Sequence, residues 1–326
     1  DLALTARAPL FAGGAMVERE RAEMSAAWAT EQDLISETLR LSYDVRRAYF
    51  SALGAEKRLQ TAQQAADRLE RHLKELRGAK DVGMASEEMI IQTEARLRQT
   101  EVGVLGAEAD AKAARLILAN LIGRSGEEVT PAEELNVSLT PEQMTDLKSR
   151  SDVAAINARV EQTQHLTRAA KGGFLPTVSA QAAFHYGKPG VDQLKNEWMD
   201  YGTLGFNLNW TLWDWNSRSA KVAQARAGMR TLEARKQELV NGITTRLATA
   251  ESNLKSTRTA LDKASERLSL EQRRFELVRG RYQIGTTSES EFLDAQDDLT
   301  SAELDRSAVA VRLRLAEAEW LNAAGK

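Results

Sequence analysis

Cysteine is absent from the 326 residues, which excludes a disulfide framework and thiolate-bound metal. Only five prolines interrupt the chain and aromatics make up just 6% of it, while Ala, Glu, Leu, Arg and Gln abound. Such a composition reads as long helix and coiled coil. Neither sign of charge dominates: 44 basic and 47 acidic residues leave a net charge of -3, so nothing marks a nucleic-acid partner. No run of eighteen apolar residues occurs, which excludes a transmembrane helix. Catalytic patterns are missing too. There is no Ser-His-Asp set, no phosphate-cradling glycine loop and no HExxH, so neither an enzyme nor a cofactor or metal is expected. His72, His165 and His185 fall in separate predicted elements, and each reads as a surface or packing residue. The chain opens at Asp1 in mid-pattern and without Met, which predicts that a preceding segment has been removed.

What the chain has instead is a second copy of itself. GAKDVGMASEEMIIQTEARL at 78–97 returns as GRYQIGTTSESEFLDAQDDL at 280–299. Gly285 follows Gly83 by 202 residues, as Ser288 follows Ser86 and Glu289 follows Glu87. The same offset carries Leu10 to Leu212, Ala48 to Ala250, Leu59 to Leu261, Glu101 to Glu303 and Gly123 to Gly325 without an insertion. A long, ungapped self-match of this kind predicts an internal duplication.

Each copy begins with a strand signal. Leu204, Phe206, Leu208, Trp210 and Leu212 alternate with Gly205, Asn207, Asn209 and Thr211, giving one apolar and one polar face. After Pro176 the same alternation sets Val178, Ala180, Ala182, Phe184 and Tyr186 on one face, and Leu2, Leu4, Ala8 and Leu10 form a weaker third example. Long helical signals follow. Leu247, Ala250, Leu254, Leu261, Ala264, Leu268, Phe275, Val278 and Tyr282 keep the three-four spacing of a coiled-coil seam. Val45, Ala48, Ala52, Leu59, Ala62, Ala66, Leu73 and Leu76 run in register with it. Helices over about 15–77 and 217–281 would each reach roughly 95 Å.

The expected order is therefore a strand at 1–11 and a helical hairpin at 12–123 with its tip near Gly83. A polar connector at 124–150 and a helix at 151–173 come next. A β-hairpin at 174–214 carries an exposed loop at 188–201, and a second helical hairpin at 215–326 has its tip near Gly285. Equivalents of the 151–173 helix and its strand would precede residue 1, so one helix and one strand are expected to be missing. The fold class is mainly α with a small β part. Strands this few cannot hide their edges in lipid, where only closed barrels are stable, so several copies of the chain would have to share one barrel. Trp198, Tyr201, Trp210, Trp213 and Trp215 crowd near strand ends, like an interfacial girdle. The alternative is a small soluble sheet capping a helical stalk, with those tryptophans in its core.

The stretches APLFAGG (8–14), NWTLWDWNSRSA (209–220), FLPTVSAQ (174–181) and YQIGTTSESEFLDAQDDL (282–299), in this order and at a fixed offset, resemble the TolC family of outer-membrane efflux proteins. That resemblance implies a homotrimer whose strands close one twelve-stranded β-barrel in the outer membrane, above a helical barrel crossing the periplasm. Such a channel is passive, exports drugs, metals, small molecules or polypeptides, and works with a periplasmic adaptor and an inner-membrane transporter. It places the 124–150 connector in an equatorial belt. It places Val82, Gly83, Ser86, Glu87, Tyr282, Ile284, Gly285, Thr287 and Ser288 at hairpin tips that gate the pore and meet the adaptor. It also puts Glu291 and Asp294, three apart on one helical face, in an acidic ring at the periplasmic constriction. On local pattern alone, Glu291 could simply complete a capping box with Ser288, and Asp294 could be a solvated residue. Thr287 and Met89 stand where the family's closed-state lock has an arginine and an acid, so any lock here is built differently, although Tyr282 remains. Leu204, Phe206, Leu208, Trp210 and Leu212 would face lipid. The competing reading is a soluble periplasmic adaptor or scaffold with coiled-coil hairpins.

Overall fold

A computed structural model describes residues 2–132, 150–188, 191, 194 and 197–326. Most of the connector expected at 124–150, and much of the loop after Lys188, lies outside the described residues. In chain order the elements are β1 (Leu2–Ala12), α1 (Ala15–Asp81), α2 (Glu87–Leu121), α3 (Ser151–Gly172), β2 (Thr177–Gly187), β3 (Met199–Asn209), α4 (Ser217–Gln283) and α5 (Glu289–Ala324). The bounds of α4 are those of α1 advanced by 202 residues, and α5 starts the same distance after α2.

The chain divides into two compact units, one of residues 1–36 and 146–242 and the other of 37–145 and 243–326. The first contains the sheet. Its order is β1-β2-β3, antiparallel throughout, so β1 and β3 each present an open edge. The register pairs Leu4 with Phe184, Ala182 with Leu204, Ala180 with Phe206 and Val178 with Leu208. Since alternate residues share a face, the even-numbered apolar side chains of the three strands line one side. Arg7, Gln181 and Asn207 lie on the other, and Arg7 donates to the Gln181 side chain at 3.0 Å. A register shift between Pro9 and Phe11 marks a bulge in β1, at a residue whose missing N–H cannot serve the ladder.

β3 begins at Met199, within the stretch expected to be loop, because Tyr186 pairs with Asp200 and Gly187 with Met199. It ends at Asn209, so Trp210 and Leu212, expected within the strand, follow it. The reason is the partner strand. β2 starts only at Thr177, after Pro176 and a turn closed by Leu175 N–H donating to the Gly172 carbonyl, which leaves Trp210 no ladder to join. Its indole N–H donates instead to the Phe174 carbonyl at 3.2 Å.

Strand-to-helix joints in the two copies share a backbone. Gly13 and Gly14 have φ of 60° and 75°, and Trp215 and Asn216, 202 residues on, have 54° and 66°. A Cβ at Gly13 would sit 2.2 Å from the Gly172 carbonyl oxygen, so the α3 terminus can close on this joint only where no side chain exists. Trp215 holds, with a side chain, a left-handed conformation that costs ordinary residues about 1–2 kcal/mol. Further along, α3 is tied to α1 by His165 with Glu18 at 2.7 Å, by Ser36 with Ser151 at 2.9 Å and by the Arg159–Asp33 pair.

The second unit packs α2, α5 and the distal lengths of α1 and α4. Leu69, Leu73 and Leu76 of α1, Ile90 and Leu97 of α2, Val278 of α4 and Phe292, Leu293 and Ala295 of α5 form one buried cluster. Each large member contributes about 1.5–3 kcal/mol by leaving water. Both hairpin turns end their first helix identically. Gly83 N–H donates to Lys80 O and Met84 N–H to Ala79 O, while Gly285 and Thr286 do the same toward Tyr282 and Arg281. This is a Schellman closure around a left-handed glycine. Ser86 and Ser288 then cap the returning helices, accepting from the N–H groups of Met89 and Glu291 at 3.3 and 3.2 Å.

Candidate functional site

Two regions carry side chains that a fold alone does not require. The first is the even-numbered face of the sheet. Leu204, Phe206 and Leu208 are 72%, 71% and 66% exposed, and Leu2, Leu4, Phe184 and Tyr186 lie open beside them. Water does not retain a contiguous apolar surface of this kind without a partner. Aromatic rings stand at both ends: Tyr186 stacks on Trp198 at 5.0 Å, while Trp210, Trp213 and Trp215 lie exposed past the other end. Eleven-residue strands span about 36 Å, or about 27 Å when tilted as barrel strands are. That height matches a bilayer's hydrocarbon layer. Leu204, Phe206 and Leu208 are thus collected on one face, whereas Trp210 and Leu212 flank it. His185, on the polar face, stacks on Tyr201 with ring centroids 4.8 Å apart.

The second region is the pair of hairpin turns. At the α4–α5 turn, Glu289 is 6% exposed and His72 of α1 is 7% exposed. The His72 ring nitrogen Nε2 lies 2.8 Å from Glu289 Oε1, and the Thr93 hydroxyl of α2 lies 2.9 Å from the same oxygen. The Tyr282 hydroxyl of α4 donates to Glu289 Oε2. Rings of Tyr282 and Phe292 enclose the imidazole. Burial works against charge on Glu289, but the hydrogen bonds from His72, Tyr282 and Thr93 outweigh it and hold the carboxyl below its ordinary 4.5. Burial, and then the Glu289 carboxylate, push the Tyr282 hydroxyl far above its usual range. One carboxylate therefore joins three helices besides its own.

Around it the expected site residues are distributed unevenly. Val82 and Ile284 project from the turns, 70% and 74% exposed. Glu87 pairs with Lys80 on the surface. Glu291 takes Arg281 at 3.1 Å and the Thr287 hydroxyl; the threonine first, and then the arginine, hold its carboxyl below the usual range. Its side chain turns to these groups while its N–H meets Ser288. Asp294 keeps a side chain 63% exposed, 4.0 Å from Arg96, whose closer partner is Asp297 at 2.9 Å. Met89 packs beside the buried cluster.

His72, Thr93 and the role of Glu289 were not legible in the local sequence. The internal offset held a signal, however. It aligns Lys80 with Tyr282, Ala295 with Thr93 and Arg274 with His72, so the two turns keep the same acid while exchanging every partner. Among the described residues no cluster of His, Asp and Glu could hold a metal ion, and no helix is long and apolar enough to cross a membrane.

Comparison with known proteins gives the same picture from outside. The model of a family described as outer membrane efflux protein matches residues 145–326. None of the curated proteins matches the chain by sequence. Solved structures match over nearly its whole length. VceC of Vibrio cholerae superposes with a TM-score of 0.86 at 19% identity, over 99% of this chain and 79% of that one. The open-state outer membrane channel MtrE of Neisseria gonorrhoeae gives 0.84 at 19%, over 99% and 79%. The outer membrane channel CmeC of Campylobacter jejuni gives 0.81 at 17%, over 99% and 70%.

Proposed function

Because the chain belongs to the outer membrane efflux protein family, we propose that it is one subunit of a homotrimeric exit duct. Its strands complete a shared twelve-stranded barrel in the outer membrane, and its helices line a passage through the periplasm. One observation carries this reading: a three-stranded sheet with two open edges and an exposed apolar face. Such a sheet is sealed in lipid only by strands from outside it. A soluble adaptor or scaffold fits less well, because its tryptophans would belong in a core, and Trp213 and Trp215 are on the surface.

In this reading the two copies of the strand-and-hairpin unit arose by duplication. The hairpin turns face a periplasmic adaptor, which connects to an inner-membrane transporter, and Val82, Met84 and Ile284 are exposed apolar side chains available to it. The channel itself does no chemistry and holds no cofactor. Asp294 supplies the charge of an acidic constriction, with Glu291 contributing less because Arg281 already answers it. Focused in a narrow opening, three such charges would favour cations. The lock lost with Thr287 and Met89 is replaced by the Glu289 network, which fastens one hairpin to the other.

Leu204→Pro tests the barrel, since it removes a donor at the middle of β3. Loss of detergent-extracted trimer is expected, and undiminished trimer would defeat the proposal. Planar-bilayer recording tests the ring. Asp294→Ala should raise single-channel conductance and weaken block by multivalent cations more than Glu291→Ala does. Unchanged conductance and block in both variants would remove the ring from the account.

A further inference from the structure

Within the sheet-bearing unit, α3 and the start of α4 enclose a groove of about 620 Å³. Arg168, Lys171, Arg226 and Arg230 line it together with Gln164, and no carboxylate does. From Ser217 to Leu232, α4 carries Arg218, Lys221, Arg226 and Arg230 and no acid, whereas the matching stretch of α1 holds Glu18, Glu20 and Glu23. Arg226 and Arg230, four apart on one helix, repel each other, so this clustering is unfavourable unless an anion answers it. Arg218 has Asp214 at 2.8 Å. Arg168 reaches Glu18 only at 3.9 Å, and that carboxylate already serves His165 at 2.7 Å and Arg21 at 3.1 Å. Among the described residues, Lys171, Arg226 and Arg230 have no ion pair.

The groove's position identifies what could answer it. Lys171 stands three residues before Phe174, whose carbonyl takes the Trp210 indole and whose ring lies 5.1 Å from the Arg218 guanidinium. At its Lys171 end the groove thus opens within a helical turn of the aromatic band that ends the apolar face, and from there it runs along α4 to Arg230. We propose that it binds the phosphate of an anionic phospholipid in the periplasmic leaflet of the outer membrane. The arginines present paired N–H groups suited to phosphate oxygens, and Lys171 extends toward the headgroup layer as interfacial lysines do. This inference rests on the sheet lying in the membrane and is independent of the trimer, the acidic ring and the tip lock.

The full chain extracted in detergent, titrated with phosphatidylglycerol and with phosphatidylcholine and read by native mass spectrometry, decides the matter. Wild-type protein should retain phosphatidylglycerol at least about tenfold more tightly than phosphatidylcholine. Each cation removed should weaken phosphatidylglycerol about fivefold, so Arg226→Gln/Arg230→Gln should erase most of the preference. Equal retention by that variant, or no preference in wild type, overturns the proposal. So does displacement of the lipid by millimolar inorganic phosphate, which would mark a site for soluble anions. Should the double variant fold poorly, Lys171→Gln and wild type at raised salt put the same question, because a phosphate contact weakens in both; undiminished preference in both overturns the proposal. A protein recovered without detergent would instead sink the duct itself, which keeps the two failures apart.

Discussion

The two hairpin turns have one backbone and two chemistries. In each, a left-handed glycine closes the first helix, a serine caps the second, and the glutamate at the next position reaches back seven residues. In the first turn that reach ends at Lys80, on the surface. In the second it ends at Tyr282, inside, where His72 and Thr93 complete the acid's coordination. Turn geometry follows from glycine and serine alone, so it survives any change of partner. What a glutamate is worth there depends on whether another hairpin covers it.

Removing the acid is the sharpest way to break this pairing. Glu289→Ala takes the acceptor from His72 and Tyr282, while Thr93 keeps the Met89 carbonyl at 2.9 Å, and should lower the opening free energy of the second turn by about 3 kcal/mol, read from amide hydrogen exchange at residues 282–292. A loss no larger than that from Glu87→Ala would mean that burial makes no difference. Acid should act next. Because the folded carboxyl of Glu289 is depressed, its stabilisation is present above the ordinary 4.5 and fades as pH falls through the lowered value. Channels recorded below pH 4.5 should therefore open more readily than at neutrality, and Glu289→Gln should flatten that dependence. Tyr282→Phe removes one of three donors, for about 1–2 kcal/mol. Ser86→Ala and Ser288→Ala should cost about 1 kcal/mol each and differ little, since the caps are alike. Glu87→Ala comes last, below about 1 kcal/mol, as exposed ion pairs do.

Periodicity alone made much of this molecule readable. The alternation from Val178 to Tyr186 and from Leu204 to Leu208 locates the exposed apolar face, and the seam through Leu73, Leu76 and Val278 locates the core. Strand ends were less legible. The pattern around Trp210 and Leu212 continues the alternation, but a strand lasts only as long as its neighbour, and Pro176 fixes where β2 starts. The Glu289 network was hidden for a different reason. His72 sits 217 residues from Glu289, and nothing local to a histidine tells which helix will cover it.

A sheet with an oily face and two unclaimed borders also shapes how the molecule comes into being. Before those borders meet their complements, the chain has crossed a watery compartment in a form prone to zip onto any exposed strand. Its yield should then depend on the lifetime of that traveller more than on the strength of the finished wall. Crowding many copies together early would produce deposits where measured supply would produce channels.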